Sequence, residues 1–203
     1  MLYIAHRINT VAQLRKVPAH YGIEVDLRDR GRRLILQHDP FADGEDFERL
    51  LAEYRHRLII LNVKSERIEP HVLELLKRYR VQDYFFLDCS FPMIRWLVSQ
   101  GERKIAVRFS DFEPADMALA LAGQIEWLWA DCFTRMPFDP ASYGRLRTAF
   151  KICAVSPELQ GRPYEQINSY CAQLGPYPVD AVCTKRPELW LAAQGNQPLS
   201  RCA

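Results

Sequence analysis

The sequence predicts an α/β protein built as a single (β/α)8 barrel of the TIM type. Three observations carry that expectation. Short apolar runs recur along the 203 residues and alternate with stretches of helical spacing. The runs are continuous rather than alternating in polarity, as in a parallel sheet buried on both faces. A Gly-rich nucleotide loop of the GxGxxG or GxxxxGK(S/T) type is absent, which weighs against a doubly wound open sheet.

LYIAH (2–6) is the first strand, and the polar stretch after it, 7–21, is short for a full helix. GIEVDL (22–27) is the second. Asp29-Arg30-Gly31-Arg32 then reads as a tight turn, so RLILQH (33–38) returns as a hairpin arm or a bent continuation. Phe47, Leu50, Leu51 and Tyr54 mark a helix face. LIILNV (58–63) precedes a helix marked by Val72, Leu73, Leu75, Leu76 and Tyr79. YFFLDC (84–89) precedes Met93, Ile94, Leu97 and Val98, and KIAVRF (104–109) a shorter group, Met117 to Leu121. EWLWAD (126–131) leads to Tyr143, Leu146, Arg147 and Phe150; FKICAV (150–155) leads to Tyr164, Ile167 and Cys171. DAVCT (180–184) and a helix over Leu189–Ala193 close the series. The barrel is assigned to residues 1–192 and a polar C-terminal tail to 193–203.

Composition narrows the function classes. A formal net charge of +2, with scattered basic residues, gives no footprint for nucleic acid. No stretch is long and apolar enough to span a bilayer. No basic segment followed by an apolar one opens the chain, so a cytoplasmic protein is expected. The six cysteines have no CxxC or CxxH spacing, and Cys89, Cys132, Cys153 and Cys183 fall in or beside strand runs as core thiols.

In a closed barrel, working residues stand where strands end. His6 and Arg7 end the first strand; Glu24 and Asp26 lie in the second; His38 ends the RLILQH run; Asn62 and Lys64 end the next. Residues two apart on a strand share a face, so Glu24 and Asp26 can reach one divalent cation. His6 and His38 are a proton-transfer pair in the neutral pH range. Arg7 offers a planar fork for a phosphate, and Lys64 a second positive charge on the side of Asn62. The chemistry indicated is metal-assisted cleavage of a phosphate ester. Trp96, Trp127, Trp129 and Phe133 are aromatic residues available to a sugar or an acyl chain.

The blocks AHR-x-NT, GIEVDLR, LQHDP and LNVK, with VDAVCTKRPEL (179–189) near the end, resemble the glycerophosphodiester phosphodiesterase family. That family belongs to the phosphatidylinositol-phospholipase-C-like phosphodiesterases. The resemblance implies a TIM-type barrel with His6 and His38 as acid and base. It implies Glu24 and Asp26 as ligands to Mg2+ or Ca2+, Arg7 as a phosphate contact and Lys64 as a site cation. The expected partner is a small-molecule phosphodiester or phosphorylated ligand. Three positions depart from the pattern. Ile8 replaces the glycine of HRG, Asn62 replaces an acidic residue, and Lys185 stands near the last strand where an acid is usual. An amide oxygen at Asn62 still ligates a hard cation but brings no charge. These departures motivate a second expectation: a catalytically weak or inactive barrel that binds a phosphorylated sugar, a lipid headgroup or a protein partner.

Overall fold

The computed structural model describes residues 1–195 of the 203. The strands in chain order are β1 (Leu2–Ala5), β2 (Gly22–Arg30), β3 (Arg33–Leu36), β4 (Glu45–Asp46), β5 (Ile59–Val63), β6 (Tyr84–Leu87), β7 (Ala106–Phe109), β8 (Trp127–Ala130), β9 (Lys151–Val155) and β10 (Ala181–Thr184). The helices are α1 (Val11–Leu14), α2 (Phe47–Glu53), α3 (Glu69–Arg78), α4 (Phe91–Ser99), α5 (Ala115–Leu119), α6 (Pro140–Ala149), α7 (Gln166–Leu174) and α8 (Pro187–Gly195), with a 3-10 turn over Pro157–Gln160. Helix α8 carries regular structure past residue 192 and buries Ala193. The rest of the expected polar tail, from residue 196, lies outside the described residues, as does Cys202.

Parallel pairing runs β7-β8-β9-β10-β1-β2-β5-β6. The sheet curls, and its end strands β6 and β7 approach each other at one isolated parallel bridge between Phe86 and Ile105. There the Phe86 N–H donates to Lys104 O at 2.8 Å. The expected hairpin is present: β3 runs antiparallel to β2, with Leu36 opposite Leu27 and Arg33 opposite Arg30. Gly31 takes φ 66 in its turn, a conformation glycine adopts without steric cost.

The two-residue period of each strand sorts side chains to opposite faces. One set fills the inside of the curl: Ile4, Ile60, Phe85, Trp127, Cys153 and Cys183. Phe85 stacks on Trp127 with ring centroids 4.6 Å apart. At Gly22 a Cβ would lie 2.9 Å from Leu58 O and 3.0 Å from Ile4 Cγ1, so the missing side chain lets β1, β2 and β5 close together. The other set, including Ile23, Val25 and Leu61, joins Val72, Leu76, Leu97 and Trp190 of the helices in a second core. Trp190 is fully buried and its indole N–H donates to Ser156 Oγ at 2.7 Å. Truncating such a ring costs about 3–5 kcal/mol. Cys132, Cys153 and Cys183 are buried free thiols and Cys89 is half-buried. Among the described residues, no helix is long and apolar enough to cross a membrane.

Candidate active site

Register builds the site. Asp26 of β2 is paired with Asn62 of β5, and Glu24 lies two residues earlier on the same inward face. Both carboxylates are buried, at 0% and 1% exposure. Asn62 bridges them: its Nδ2 donates to Glu24 Oε1 at 2.9 Å and to Asp26 Oδ1 at 3.2 Å. The remaining oxygens are also held. Arg7 N–H donates to Glu24 Oε2 at 2.7 Å, and Asn9 Nδ2 to Asp26 Oδ2 at 2.8 Å. Asn9 Oδ1 in turn accepts from the Asp26 N–H at 2.9 Å. Burial, and next the Asp26 charge, raise the Glu24 carboxyl above the usual range, against the pull of the Asn62 and Arg7 hydrogen bonds.

His6 follows β1 directly, and its Nε2 stands 3.7 Å from Glu24 Oε2. Its Nδ1 is buried and, among the described residues, has no hydrogen-bond partner. Burial, then the positive charges of Arg7 and Lys185, push its pKa down to about 3. The imidazole is therefore neutral at neutral pH. Arg7 has a left-handed backbone, φ 58, which aims its N–H at Glu24. The turn thus falls at Arg7 and not at Ile8, where the HRG pattern has its glycine. The Arg7 guanidinium is 3.5 Å from Asp26 Oδ2 and its side chain remains 46% exposed.

His38 lies just past β3. Its Nδ1 is 2.8 Å from Asp39 Oδ1. A donor Nδ1–H in that contact leaves Nε2 as the ring's second working nitrogen. Arg28 fixes this segment from behind. Its Nε and one terminal nitrogen donate to His38 O at 3.1 and 2.8 Å, while the other donates to Lys64 O at 2.8 Å. One guanidinium so ties the connection after β3 to the end of β5.

The opposite wall is a chain of charges. Lys64 Nζ is 4.0 Å from Asp26 Oδ1 and 3.1 Å from Asp88 Oδ2. Asp88 also takes a two-pronged contact from Arg108 at 2.7 and 3.0 Å. Arg108 reaches on to Asp131, whose other oxygen accepts from Gln160 Nε2 at 2.7 Å. Burial pushes Asp131 up to about 6 despite Arg108; at Asp88 burial is outweighed by Arg108 and Lys64 and the pKa falls. A cavity of about 420 Å³ lies between the two walls. Its lining includes His6, Arg7, His38, Asn62 and Lys64 together with Arg108, Trp129, Asp131, Phe133 and Gln160.

The structure brings His6, Arg7, His38, Asn62 and Lys64 to one cavity, with Glu24 and Asp26 hydrogen-bonded to Asn62. Glu24 and Asp26 stand behind Asn62 rather than on the cavity surface. Of the four aromatic candidates, Trp129 and Phe133 line the cavity, Trp127 is in the interior stack and Trp96 lies exposed on α4. Asn9 and the clamp made by Arg28 were not read from the sequence. The NT of AHR-x-NT was the only local signal for Asn9. Glu158, a strand-end acid in the sequence, is buried and accepts from Thr184 Oγ1 and the Lys185 N–H at 2.6 and 2.9 Å, and from Ser156. It braces β9 against β10.

Glu24, Asp26 and Asn62 supply hard oxygens of the kind Mg2+ and Ca2+ take. Among the described residues Asn62 Oδ1 is buried without a hydrogen-bond partner, while Nδ2 of the same amide faces the two carboxylates. The donor types, two carboxylates and an amide oxygen, suit such an ion with the Asn62 amide turned over so that Oδ1 faces the carboxylates. Among the described residues, no three His, Cys, Asp or Glu side chains cluster to hold a metal.

A curled parallel sheet with its polar residues at the carboxyl ends of the strands places the chain among barrel-like α/β proteins. Within that class its fold is shared with solved glycerophosphodiester phosphodiesterases, the family whose motifs the sequence resembles. An Agrobacterium tumefaciens protein assigned to the glycerophosphoryl diester phosphodiesterases superimposes with a TM-score of 0.72 at 14% identity, over 96% of this chain and 97% of that one. A glycerophosphodiester phosphodiesterase from the same organism gives 0.68 at 16% identity, over 94% and 99%. An Oleispira antarctica phosphodiesterase, solved with its product sn-glycerol-3-phosphate, gives 0.70 at 16% identity, over 97% of each chain. No protein-family model and no curated protein sequence matches the chain.

Proposed function

We propose that this chain is a phosphodiester hydrolase, a divergent relative of the glycerophosphodiester phosphodiesterases with a closed barrel. The observation that carries the proposal is convergence: His6, Glu24, Asp26, Asn62, Lys64 and His38, distant in sequence, meet at one mouth. The bridge between Phe86 and Ile105 supports closure of the sheet into a barrel. Neutral His6 takes the proton from the attacking water or substrate hydroxyl as the new P–O bond forms. His38, backed by Asp39, delivers a proton to the departing alcohol oxygen as the old P–O bond breaks. Arg7 and Lys64 hold the phosphate oxygens. Glu24, Asp26 and Asn62 would hold Mg2+ or Ca2+, which supplies Lewis-acid charge to the phosphate when bound. Free thiols at Cys132, Cys153 and Cys183 suit a reducing compartment, in keeping with a cytoplasmic location.

The test is hydrolysis of bis-p-nitrophenyl phosphate with added Mg2+, Ca2+ or Mn2+, comparing the protein with His6→Ala, His38→Ala and Glu24→Ala. Loss of about 10²–10⁴ in turnover in the histidine variants supports the proposal. The amide bridge of Asn62 favours one second reading, a barrel that binds a phosphorylated sugar, lipid headgroup or protein without turnover. Binding of a phosphorylated ligand with no hydrolysis across a panel of phosphodiesters would select it.

A further inference from the structure

The exposed large apolar side chains are distributed unevenly. Phe112, Phe133 and Tyr164 stand on connections that leave the carboxyl ends of parallel strands, Phe41 stands on the connection from the antiparallel β3 to β4, and Phe91 opens the helix after β6. Trp96, Met117 and Leu191 lie on helices, and Met1 precedes β1. Among the described residues, none lies on a connection from a helix back to a strand. A single exposed aromatic residue means little, but a set gathered on the face that holds the mouth is an interaction signature.

Two of these positions are built to project. Phe41, three residues past His38, is fully exposed with φ 63, a left-handed conformation that costs a bulky residue energy. Its loop is tied across by Gln37 Nε2, which donates to Asp43 O at 2.8 Å, and by Arg30, which pairs with Asp43 at 2.9 Å. On another connection Phe112, 72% exposed, rests against Phe133 with centroids 6.0 Å apart, and Phe133 lines the cavity. The rim acids are engaged locally: Asp39 with His38, Asp111 with Thr134, Glu113 with Ser110 and Glu188 with Arg186. Lys185 is exposed and, among the described residues, forms no ion pair, and Arg7 keeps its guanidinium at the mouth.

We infer that this rim docks on a phospholipid bilayer, Phe41 and the Phe112–Phe133 pair entering the acyl boundary so that a headgroup phosphate reaches the cavity. Separate aromatic prongs around a cationic mouth complement a surface that is apolar beneath a layer of phosphates. The identity of the substrate rests on the phosphodiesterase reading; docking itself is measured without it.

The full chain is sedimented with phosphatidylcholine vesicles, with and without about one fifth phosphatidylglycerol. Binding to both is expected. Phe41→Ser and Phe112→Ser are each expected to weaken it about tenfold, with melting temperature and turnover of soluble bis-p-nitrophenyl phosphate unchanged. No vesicle binding overturns the inference. So does binding confined to anionic vesicles, abolished by salt and indifferent to both substitutions. Self-association that Phe41→Ser removes, in place of vesicle binding, overturns it too, because the rings then cover a second copy. Vesicle binding that obeys the aromatic substitutions while soluble phosphodiester goes uncleaved upholds docking and overturns the hydrolase proposal.

Discussion

Asn62→Asp tests the acidic pair most directly. The substitution keeps the size of the side chain and removes the bridging amide donor. The two bonds lost, 2.9 and 3.2 Å long, end on buried carboxylates, and hydrogen bonds to charged groups contribute about 1.5–3 kcal/mol each. A third carboxylate then stands about 3 Å from two others. At an effective dielectric of about 20, one such pair repels by about 5 kcal/mol. The trio relieves this by keeping a proton, so the penalty grows with pH. In EDTA near pH 8, about 5 kcal/mol of stability should disappear, which is about 10–20 °C of melting temperature for a chain of this length. Near pH 5 the loss should be about half as large. Saturating Ca2+ or Mg2+, at about a hundred times its dissociation constant, should return about 2.7 kcal/mol to the variant. The measurement is thermal unfolding followed by circular dichroism, in chelator and in cation, at both pH values. A variant that melts with the parent protein in EDTA near pH 8 would show that the amide does not hold the carboxylates together.

Three further outcomes are expected. Arg28→Met frees both His38 O and Lys64 O, so kcat on a soluble phosphodiester should fall about 10–100-fold with KM nearly constant and partial rescue by free guanidinium; a rise in KM alone would assign Arg28 to binding. In cation-free buffer the stability profile should have two limbs. His6, held down near 3 when folded and near 6.5 when not, contributes stability that is complete above about pH 6.5 and is lost as pH falls. Glu24, raised to about 7, contributes stability that is complete below about pH 4.5 and is lost as pH rises. Urea unfolding across pH should show the acid limb vanish in His6→Gln and the alkaline limb vanish in Glu24→Gln; unchanged limbs would count against these environments. Gly44→Ala would place a Cβ 2.3 Å from Leu36 O, so it should cost about 1–3 kcal/mol in chemical denaturation and disturb the segment that carries His38.

Much of this architecture is written locally. Runs such as LIILNV and YFFLDC are buried on both faces, so their continuous apolarity announces parallel strands before any partner is known. Glu24 and Asp26 share a face by period alone, and the β2–β5 register then delivers Asn62 to the same place. Residues whose work depends on distant backbone were hidden. Arg28 acts on carbonyls ten and thirty-six positions away, and nothing near it in the chain says so. Glu158 follows a strand end, where an acid points to the mouth, yet its oxygens turn toward Thr184 and Lys185. Phe41 carried no periodic signal at all, and its significance lies in an outward-turned loop.

The stacked aromatic and aliphatic residues inside the curl have a consequence for traffic. Phe85 and Trp127 fill the inside of the curl, so on the closed-barrel reading proposed above the cavity would be a cup and not a channel. On that reading whatever enters past Arg7 leaves by the same rim, and the two halves of a cleaved molecule would queue at a single door. Enlarging the stopper's residues would raise the floor of the cup, while trimming the rim would change how quickly it empties.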